Sequence, residues 1–202
     1  MKSKLIIFVK NPELGKAKTR LAATIGDKAA LAIYQLLLEK TAQITQDLAV
    51  DKVVYYDRFV DKKDIWPNDK FSKDLQKDGH LGIKMETAFY QAFQEGYDKV
   101  CIIGSDCYDL SAENLRLAFS TLDNDDAVIG PAEDGGYYLL GLSGFYPDFF
   151  KDKTWSTDTV GSDTIKDFEK LGLSFSELPV LSDVDVAEDL GPWANQVLEA
   201  NE

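Results

Sequence analysis

Residues 4–12 read KLIIFVKNP, a short apolar run that asparagine and proline close. Five consecutive apolar residues, three of them β-branched, are typical of a strand that is buried on both faces of a sheet. Proline lacks the backbone N–H that a sheet requires, so the run ends at Asn11 and Pro12. The stretch therefore predicts a first strand over residues 4–10.

Helical and extended patterns then alternate along the chain. The predicted elements are, in order, a helix over Asp27 to about Leu48, a strand over Lys52 to Tyr56, a helix over Leu81 to Phe93, a strand over Lys99 to Gly104, a helix capped by Ser111 that runs to about Leu122, and strands over Ala127 to Ile129 and Tyr137 to Leu142. This alternation indicates a three-layer α/β/α fold with a mainly parallel, mixed central sheet. The sequence contains no repeat, low-complexity tract or linker, so we expect residues 1–202 to form one domain.

The composition excludes several classes of protein. With 45% apolar residues, the 202-residue chain can form a sizeable core, and its net charge of −13 argues against binding to nucleic acid or an anionic membrane. The longest apolar run near the start, Leu5 to Val9, is too short for a signal peptide or a membrane span. Cys101 and Cys107 have the spacing of neither a redox pair nor a zinc site. We therefore expect a protein of the reducing cytoplasm.

Basic residues are concentrated around the end of the first predicted strand. Residues 1–20 carry a net charge of +5, against −18 for the rest of the chain. Backbone amides and cations in this loop would suit the phosphates of a nucleotide, although a solvated basic turn is an equal alternative. The loop has neither the P-loop spacing nor a G-x-G-x-x-G motif. The predicted nucleotide-binding residues are Lys10, Gly15, Lys18, Thr19 and Arg20.

Asp106 follows the predicted strand over residues 99–104, so its carboxylate should lie at the carboxyl edge of the sheet. A divalent cation there could join Asp106 to a substrate phosphate. The alternatives for Asp106 are an Asx turn or a helix cap. Asp109 could instead bind the metal or cap that helix, but Asp106 is the favoured metal ligand. Covalent catalysis by Cys107 is not expected, because the chain contains a single histidine, His80.

Asp134, Gly135 and Gly136 separate two predicted strands. The glycines would let the backbone approach a ligand and the aspartate would accept hydrogen bonds from it, but Asp-Gly is also a common hairpin signal. Trp155 is an isolated aromatic residue in a polar loop, either a lid over a ring or a core anchor.

Near the end of the chain, the sequence DVD at residues 183–185 suggests the end of a strand that bears two carboxylates ahead of a final helix. Helix capping is the alternative role for the acids that follow, Glu188 and Asp189.

Five motifs together resemble a bacterial family of GT-A-fold glycosyltransferases. They are K-x-P-x-x-G-x-x-K-T-R-L at residues 10–21, GSD at 104–106, GPAxDGGYY at 130–138, WST at 155–157 and DVDxxEDL at 183–190. They occur in order over nearly the whole chain. The resemblance implies a nucleotide-diphospho-sugar transferase fold, Rossmann-like and related to the guanylyl- and cytidylyltransferases of cofactor synthesis.

The resemblance also implies roles for individual residues. Lys10, Lys18 and Arg20 would contact phosphates, Asp106 would bind Mg²⁺ or Mn²⁺, Asp134 would act at the acceptor or sugar, and Asp185 would be a second metal ligand or a base, with Gly135, Gly136 and Trp155 contacting substrate. The sequence departs from the family pattern at Tyr108, where proline is usual, at Ile83 and Lys84, where an acidic-basic pair is common, and at Val186, where threonine is usual.

These observations favour a metal-dependent transferase that takes a nucleotide-activated donor and a small-molecule acceptor. Glycosyl transfer from a nucleotide-diphospho-sugar is the first hypothesis, and nucleotidyl transfer with release of pyrophosphate is the alternative. Two hypotheses do not involve an enzyme: a non-catalytic nucleotide-binding module and a purely structural protein. The identities of base, sugar and acceptor, and the oligomeric state, are left open.

Overall fold

The computed structural model describes residues 1–151, 153–155 and 157–201. The strands are β1 (Ser3–Val9), β2 (Asp51–Tyr56), β3 (Ser72–Leu75), β4 (Lys99–Ile103), β5 (Ala127–Pro131), β6 (Tyr137–Leu142) and β7 (Phe175–Glu177). The α-helices are α1 (Thr19–Ile25), α2 (Asp27–Thr45), α3 (Leu81–Gln94), α4 (Ala112–Thr121), α5 (Val160–Leu171) and α6 (Asn195–Glu199), and 3₁₀ turns span Pro147–Phe150, Ala187–Asp189 and Pro192–Ala194.

The described strands form one sheet in the order β3-β2-β1-β4-β6-β5-β7. Strand β6 pairs antiparallel with both β4 and β5, whereas the other neighbours pair in parallel. Every strand except β6 therefore runs in the same direction, which confirms the predicted mixed, mainly parallel sheet.

Helices cover both faces of the sheet because the side chains of each strand alternate between them. On one face, Leu5 and Ile7 of β1 belong to an apolar cluster with Tyr34 of α2 and Leu115 of α4. On the other face, Ile6 belongs to a cluster that includes residues of α3 and α5. The three-layer α/β/α prediction is thus confirmed.

The strand order reverses between β1 and β4. From β1 the chain moves outward to β2 and β3, and it then crosses over through α3 to β4 on the other side of β1. Open α/β sheets bind ligands beyond the carboxyl ends of their strands at such a switch point. The loops that follow Val9 and Ile103 therefore meet where a ligand site is expected.

The structure adds elements that the sequence patterns did not predict and corrects one that they did. Helices α1 and α5 and strands β3 and β7 were not predicted, because they are short or carry few apolar residues. The predicted strand end at Asp183 and Asp185 is wrong: residues 182–186 belong to no strand, and the parallel bridge nearest to them joins Leu181 to Ala132. A 3₁₀ turn at 187–189 follows these residues, and the predicted final helix is α6, which begins at Asn195.

The predicted Ser111 cap is present as a reciprocal pair with Asn114 at the start of α4. The helix predicted from Asp27 ends at Thr45, about a turn earlier than expected. None of the helices within the described residues is both long enough and apolar enough to cross a membrane.

Candidate active site

Two buried polar residues fix the loop that follows β1. The Asn11 side chain donates to the carbonyl of Phe59 at 3.0 Å, and its backbone N–H donates to Asp57 Oδ1 at 2.7 Å. The Tyr34 hydroxyl accepts from the Lys10 backbone N–H at 2.8 Å and lies 3.3 Å from Ser105 Oγ. These contacts tie the ends of β1, β2 and β4 together, which gives the edge of the sheet a fixed shape.

Lys18 reaches across this edge to two carboxylates. Its Nζ lies 2.8 Å from Asp106 Oδ1, after β4, and 3.3 Å from Asp185 Oδ1, near the end of the chain. The lysine side chain is only 6% exposed, whereas those of Asp106 and Asp185 are 41% and 47% exposed. The structure thus brings three of the predicted site residues into direct contact.

The remaining predicted nucleotide-binding residues lie around this contact, except one. Arg20, in the first turn of α1, donates from Nη1 to Asp185 Oδ2 at 3.1 Å, and its side chain is 73% exposed. Lys10 and Thr19 are also exposed and, with Arg20, line a small space beside Lys18. Gly15 is placed elsewhere: it adopts a left-handed conformation, with φ of 72°, in a turn beside Asp27.

Three cavities open at this edge. The smallest, which we call the niche, has a volume of about 140 Å³ and is lined by Lys10, Lys18, Thr19, Arg20, Tyr34, Asp106 and Asp185. The sheet cavity, of about 540 Å³, extends from there over the ends of β1 and β4 toward Gln76 and Lys84. The hairpin cavity, of about 460 Å³, lies on the other side and is lined by Asp134, Trp155 and Asp183 among others. Asp185 lines all three.

The carboxylates of Asp106 and Asp185 suit a divalent cation that is shared with a substrate. Magnesium in transferase sites is commonly held by one or two carboxylates, with substrate phosphates and water completing the shell. Among the described residues, no group of three or more His, Cys, Asp or Glu side chains is arranged to hold a metal ion. The donor set therefore fits a metal that arrives with a phosphate, rather than a cage made by protein alone. Asp109, the weaker candidate, is exposed.

Asp134 lies in the turn between β5 and β6, and part of its hydrogen bonding is structural. Its Oδ1 accepts from the Gly136 backbone N–H at 2.8 Å, an Asx turn. Gly135 has φ of 86°, and a Cβ added there would lie 1.9 Å from the Asp158 carbonyl oxygen. The close approach that Gly135 permits is therefore made by the backbone of residue 158, whereas the predicted approach was by a ligand.

Trp155 is held against helix α3. A Cβ added at Gly82 would lie 2.2 Å from the indole Nε1, so the absence of a side chain at Gly82 makes room for the ring. The indole is partly buried in the apolar cluster beneath the sheet and lines the hairpin cavity. It is thus an anchored wall of that cavity. Ser156, in the same motif, lies outside the described residues.

Asp183 contributes a further acid to the hairpin cavity. Burial, together with the nearby charges of Asp106 and Asp134, raises the pKa of Asp183 to about 7, although Lys18 acts to lower it. Cys107 is also buried, which raises the pKa of its thiol to about 12. A thiol that is protonated at neutral pH is a poor nucleophile, which agrees with the low expectation of covalent catalysis.

Sequence reasoning assigned no site role to Tyr34 or Gln76, and it noted Asp183 only as one of two carboxylates near the end of the chain. Gln76 donates from Nε2 to the carbonyls of Val9 and Tyr55, so it links the ends of β1 and β2 beside the sheet cavity. Tyr34 belongs to the apolar pattern of a predicted helix, and this pattern gives no sign that its hydroxyl contacts the loop after β1. A signal was available for Asp183, since the sequence places it two residues before Asp185.

Asp189 has the capping role that was predicted as its alternative. Its Oδ2 accepts from the backbone N–H groups of Asp185 and Val186 at 2.7 and 2.8 Å.

Comparison with known proteins bears on the family and the fold. Residues 40–157 match the family described as "Uncharacterized protein conserved in bacteria (DUF2064)". A solved structure of a "putative nucleotide-diphospho-sugar transferase" from Desulfovibrio desulfuricans G20 is 30% identical, with a TM-score of 0.88 over 100% of this chain and 96% of that one. The chain therefore belongs to the bacterial family described as DUF2064. No curated protein of similar sequence was found.

More distant structures share the fold. The 4-diphosphocytidyl-2C-methyl-D-erythritol synthase of Anaerococcus prevotii is 11% identical, with a TM-score of 0.60 over 98% of this chain and 96% of that one. The Mycobacterium tuberculosis glucosyl-3-phosphoglycerate synthase, solved with Mn²⁺ and uridine diphosphate, is 14% identical, with a TM-score of 0.52 over 98% and 77%. The fold is therefore that of nucleotide-diphospho-sugar transferases, as the sequence motifs implied, and this family member is an enzyme of the transferase class.

Proposed function

We propose that the protein is a metal-dependent glycosyltransferase that takes a nucleotide-diphospho-sugar as donor. One observation carries the proposal: Asp185 lines the niche, the sheet cavity and the hairpin cavity, so all three spaces meet at one carboxylate. A transferase needs this arrangement, because the transferred carbon must be within reach of both the leaving group and the acceptor.

The sheet cavity has the size of a nucleoside site, since small-molecule pockets commonly enclose 300–1,000 Å³. The niche beside it would take the phosphates. Arg20 offers a planar pair of donors to phosphate oxygens, and Lys18 and Lys10 add positive charge. Thr19 lines the same niche with a hydroxyl group. A donor bound in this way would direct its sugar toward the hairpin cavity.

Asp106 and Asp185 would hold Mg²⁺ or Mn²⁺ where the donor phosphates lie. A bound divalent ion would neutralise charge that develops on the leaving diphosphate. The protein's own contribution is to fix the two carboxylates. Lys18, in the loop after β1, and Arg20, in the first turn of α1, contact Asp185, and the backbone N–H of Val184 donates to the Asp106 carbonyl at 2.9 Å.

In the hairpin cavity, an acceptor hydroxyl would attack the anomeric carbon of the sugar. The new bond joins the acceptor oxygen to that carbon, the bond from the carbon to the diphosphate oxygen breaks, and the hydroxyl proton passes to a base or to water. Asp134 lines the cavity and would accept a hydrogen bond from the acceptor, and Trp155 would form a wall against it. Gly136, which also lines this cavity, would leave space beside Asp134.

A thermal-shift screen of nucleotides and nucleotide sugars, with Mg²⁺, Mn²⁺ or EDTA, tests the proposal. A ligand present at about 100 times its dissociation constant should add roughly 2.7 kcal/mol of stability. Products formed from the best ligand then identify the reaction. Release of a nucleoside di- or monophosphate supports glycosyl transfer, whereas release of pyrophosphate would assign nucleotidyl transfer to the same site.

A further inference from the structure

The backbone of Lys18 adopts an unfavourable conformation. Its φ of 51° and ψ of 48° lie in the left-handed region, and among the described residues it is the one non-glycine residue with positive φ. Lys18 precedes α1 but makes no side-chain capping bond to it. Strained residues of this kind occur where the surrounding structure needs their side chain in a particular place. The side chain of this residue is buried at the edge of the sheet, where its ammonium contacts Asp106 and Asp185.

That ammonium is already positioned as a cation between the proposed metal ligands. Its Nζ lies within 3.3 Å of one oxygen of Asp106 and one of Asp185, and little of the side chain reaches solvent. A magnesium ion would need contacts of about 2.0–2.1 Å to carboxylate oxygens. The ion and the ammonium would therefore compete, both for the same oxygens and through mutual repulsion.

We infer that Lys18 is an internal cation that competes with the divalent metal for Asp106 and Asp185 until a phosphate draws the lysine away. The inference rests on the proposed metal and phosphate sites. In the absence of nucleotide, Lys18 holds the two carboxylates together and keeps metal affinity low. A bound diphosphate gives the ammonium another anionic partner, so metal and nucleotide strengthen each other's binding, as thermodynamic linkage requires.

Binding of Mn²⁺ alone, without nucleotide, tests the inference. Paramagnetic resonance of free Mn²⁺ during a titration gives the affinity of the parent protein and of Lys18→Met, which keeps much of the side-chain volume but removes the charge. We expect the variant to bind Mn²⁺ at least tenfold more tightly. The matched control is Lys16→Met, since Lys16 is an exposed lysine of the same loop that pairs with Glu13. This control should bind Mn²⁺ as the parent does.

Lys18→Gly provides a second variant that also relieves the left-handed backbone, because glycine adopts this conformation without strain. It should show the same gain, and adding Asp106→Asn should abolish the gain in either background. Unchanged or weaker Mn²⁺ binding in both Lys18 variants would overturn the inference, as would failure of every form to bind Mn²⁺. The proposed function fails separately, through the absence of any stabilisation by nucleotides, because the Mn²⁺ comparison uses none.

Discussion

The donor edge, formed by Lys18, Arg20, Asp106 and Asp185, differs from the hairpin turn, formed by Asp134, Gly135 and Gly136, in what its contacts accomplish. At the donor edge, charged side chains contact one another, and all of them except the buried Lys18 are partly open to solvent. In the turn, the aspartate and Gly135 contact backbone atoms of their own surroundings. Local structure thus explains part of the turn, whereas it explains little of the donor edge.

The comparison teaches that a motif can serve folding and chemistry at once. Gly135 admits the backbone of residue 158, which carries the chain from Trp155 into α5, and the Gly161 N–H donates to the Gly135 carbonyl at 2.9 Å. The turn therefore supports one wall of the hairpin cavity. Substitutions at the two regions should separate a loss of stability from a loss of ligand binding.

The largest effect is expected for Gly135→Ala, because a Cβ there would collide with the Asp158 carbonyl. We expect a loss of about 3 kcal/mol or more, corresponding to roughly 6–12 °C in the melting temperature of a chain of this size. The control is Gly172→Ala, whose φ of 67° is also positive and left-handed but whose Cβ would meet nothing within 4 Å. It should cost only about 1 kcal/mol. Equal losses in the two variants would show that backbone conformation, and not the contact with residue 158, explains Gly135.

The next effect is expected for Asp106→Asn at the donor edge. The change is nearly isosteric but removes the charge that a divalent ion needs, so metal-dependent nucleotide affinity should fall by about 100-fold, while the melting temperature stays within a few degrees. Calorimetric titration with and without EDTA measures this. Asp109→Asn makes the same chemical change at an exposed neighbouring residue and should bind as the parent does. If Asp106→Asn retained metal-dependent affinity, Asp106 would be structural.

Asp134 lies in the hairpin turn but is also a candidate for catalysis, so its substitution tests both a structural and a chemical role. Asp134→Ala removes the bond to the Gly136 N–H, which should lower stability by about 1 kcal/mol. If Asp134 also contacts the acceptor in the transition state, turnover should fall by about 100-fold while nucleotide affinity is kept. Asp134→Asn separates the two roles, because an amide oxygen preserves the turn without the charge. Parent-like melting and parent-like turnover in Asp134→Asn would show that the carboxylate charge contributes nothing to catalysis.

Much of the sheet could be predicted from the sequence, because β1 and β4 are continuous apolar runs whose burial on both faces leaves a clear pattern. Strand β3 could not, since it is a largely exposed edge strand with a polar sequence. Helix α5 buries Gly161 and Thr164 alongside Val160 and Phe168, so its buried face lacks the apolar periodicity of a typical helix. Tertiary packing determines these elements more than local pattern does.

Candidate site residues could be located by their position after strands, but their contacts could not. Lys18 and Asp185 are 167 residues apart in sequence, and Lys18 contacts Asp185 from a left-handed backbone conformation that lysine does not favour intrinsically. The role of Gly135 was equally hidden, since the neighbouring backbone at residue 158 comes from a loop with no periodic signal. The motif resemblance selected these residues as candidates, and the fold determined what each one contacts.

The smallest effect, and the one that best defines the border between the two regions, is expected at Arg20. Arg20 lines both the niche and the hairpin cavity, and its Nη1 contacts Asp185. If it binds donor phosphate, Arg20→Ala should weaken nucleotide affinity by about tenfold, the equivalent of one charge-assisted hydrogen bond of roughly 1.5 kcal/mol, while the KM for the acceptor stays within about twofold.

Arg20→Lys should not restore the affinity, because an ammonium cannot reproduce the planar pair of donors that a guanidinium offers to phosphate. Arg116→Ala, at an exposed arginine of α4, controls for the loss of one positive charge and should leave both constants unchanged. If Arg20→Ala instead raised the acceptor KM and spared nucleotide affinity, Arg20 would belong to the hairpin cavity. The donor edge would then end at Lys18, and the phosphates would have to be held by Lys18 and Lys10 alone among the cations that line the niche.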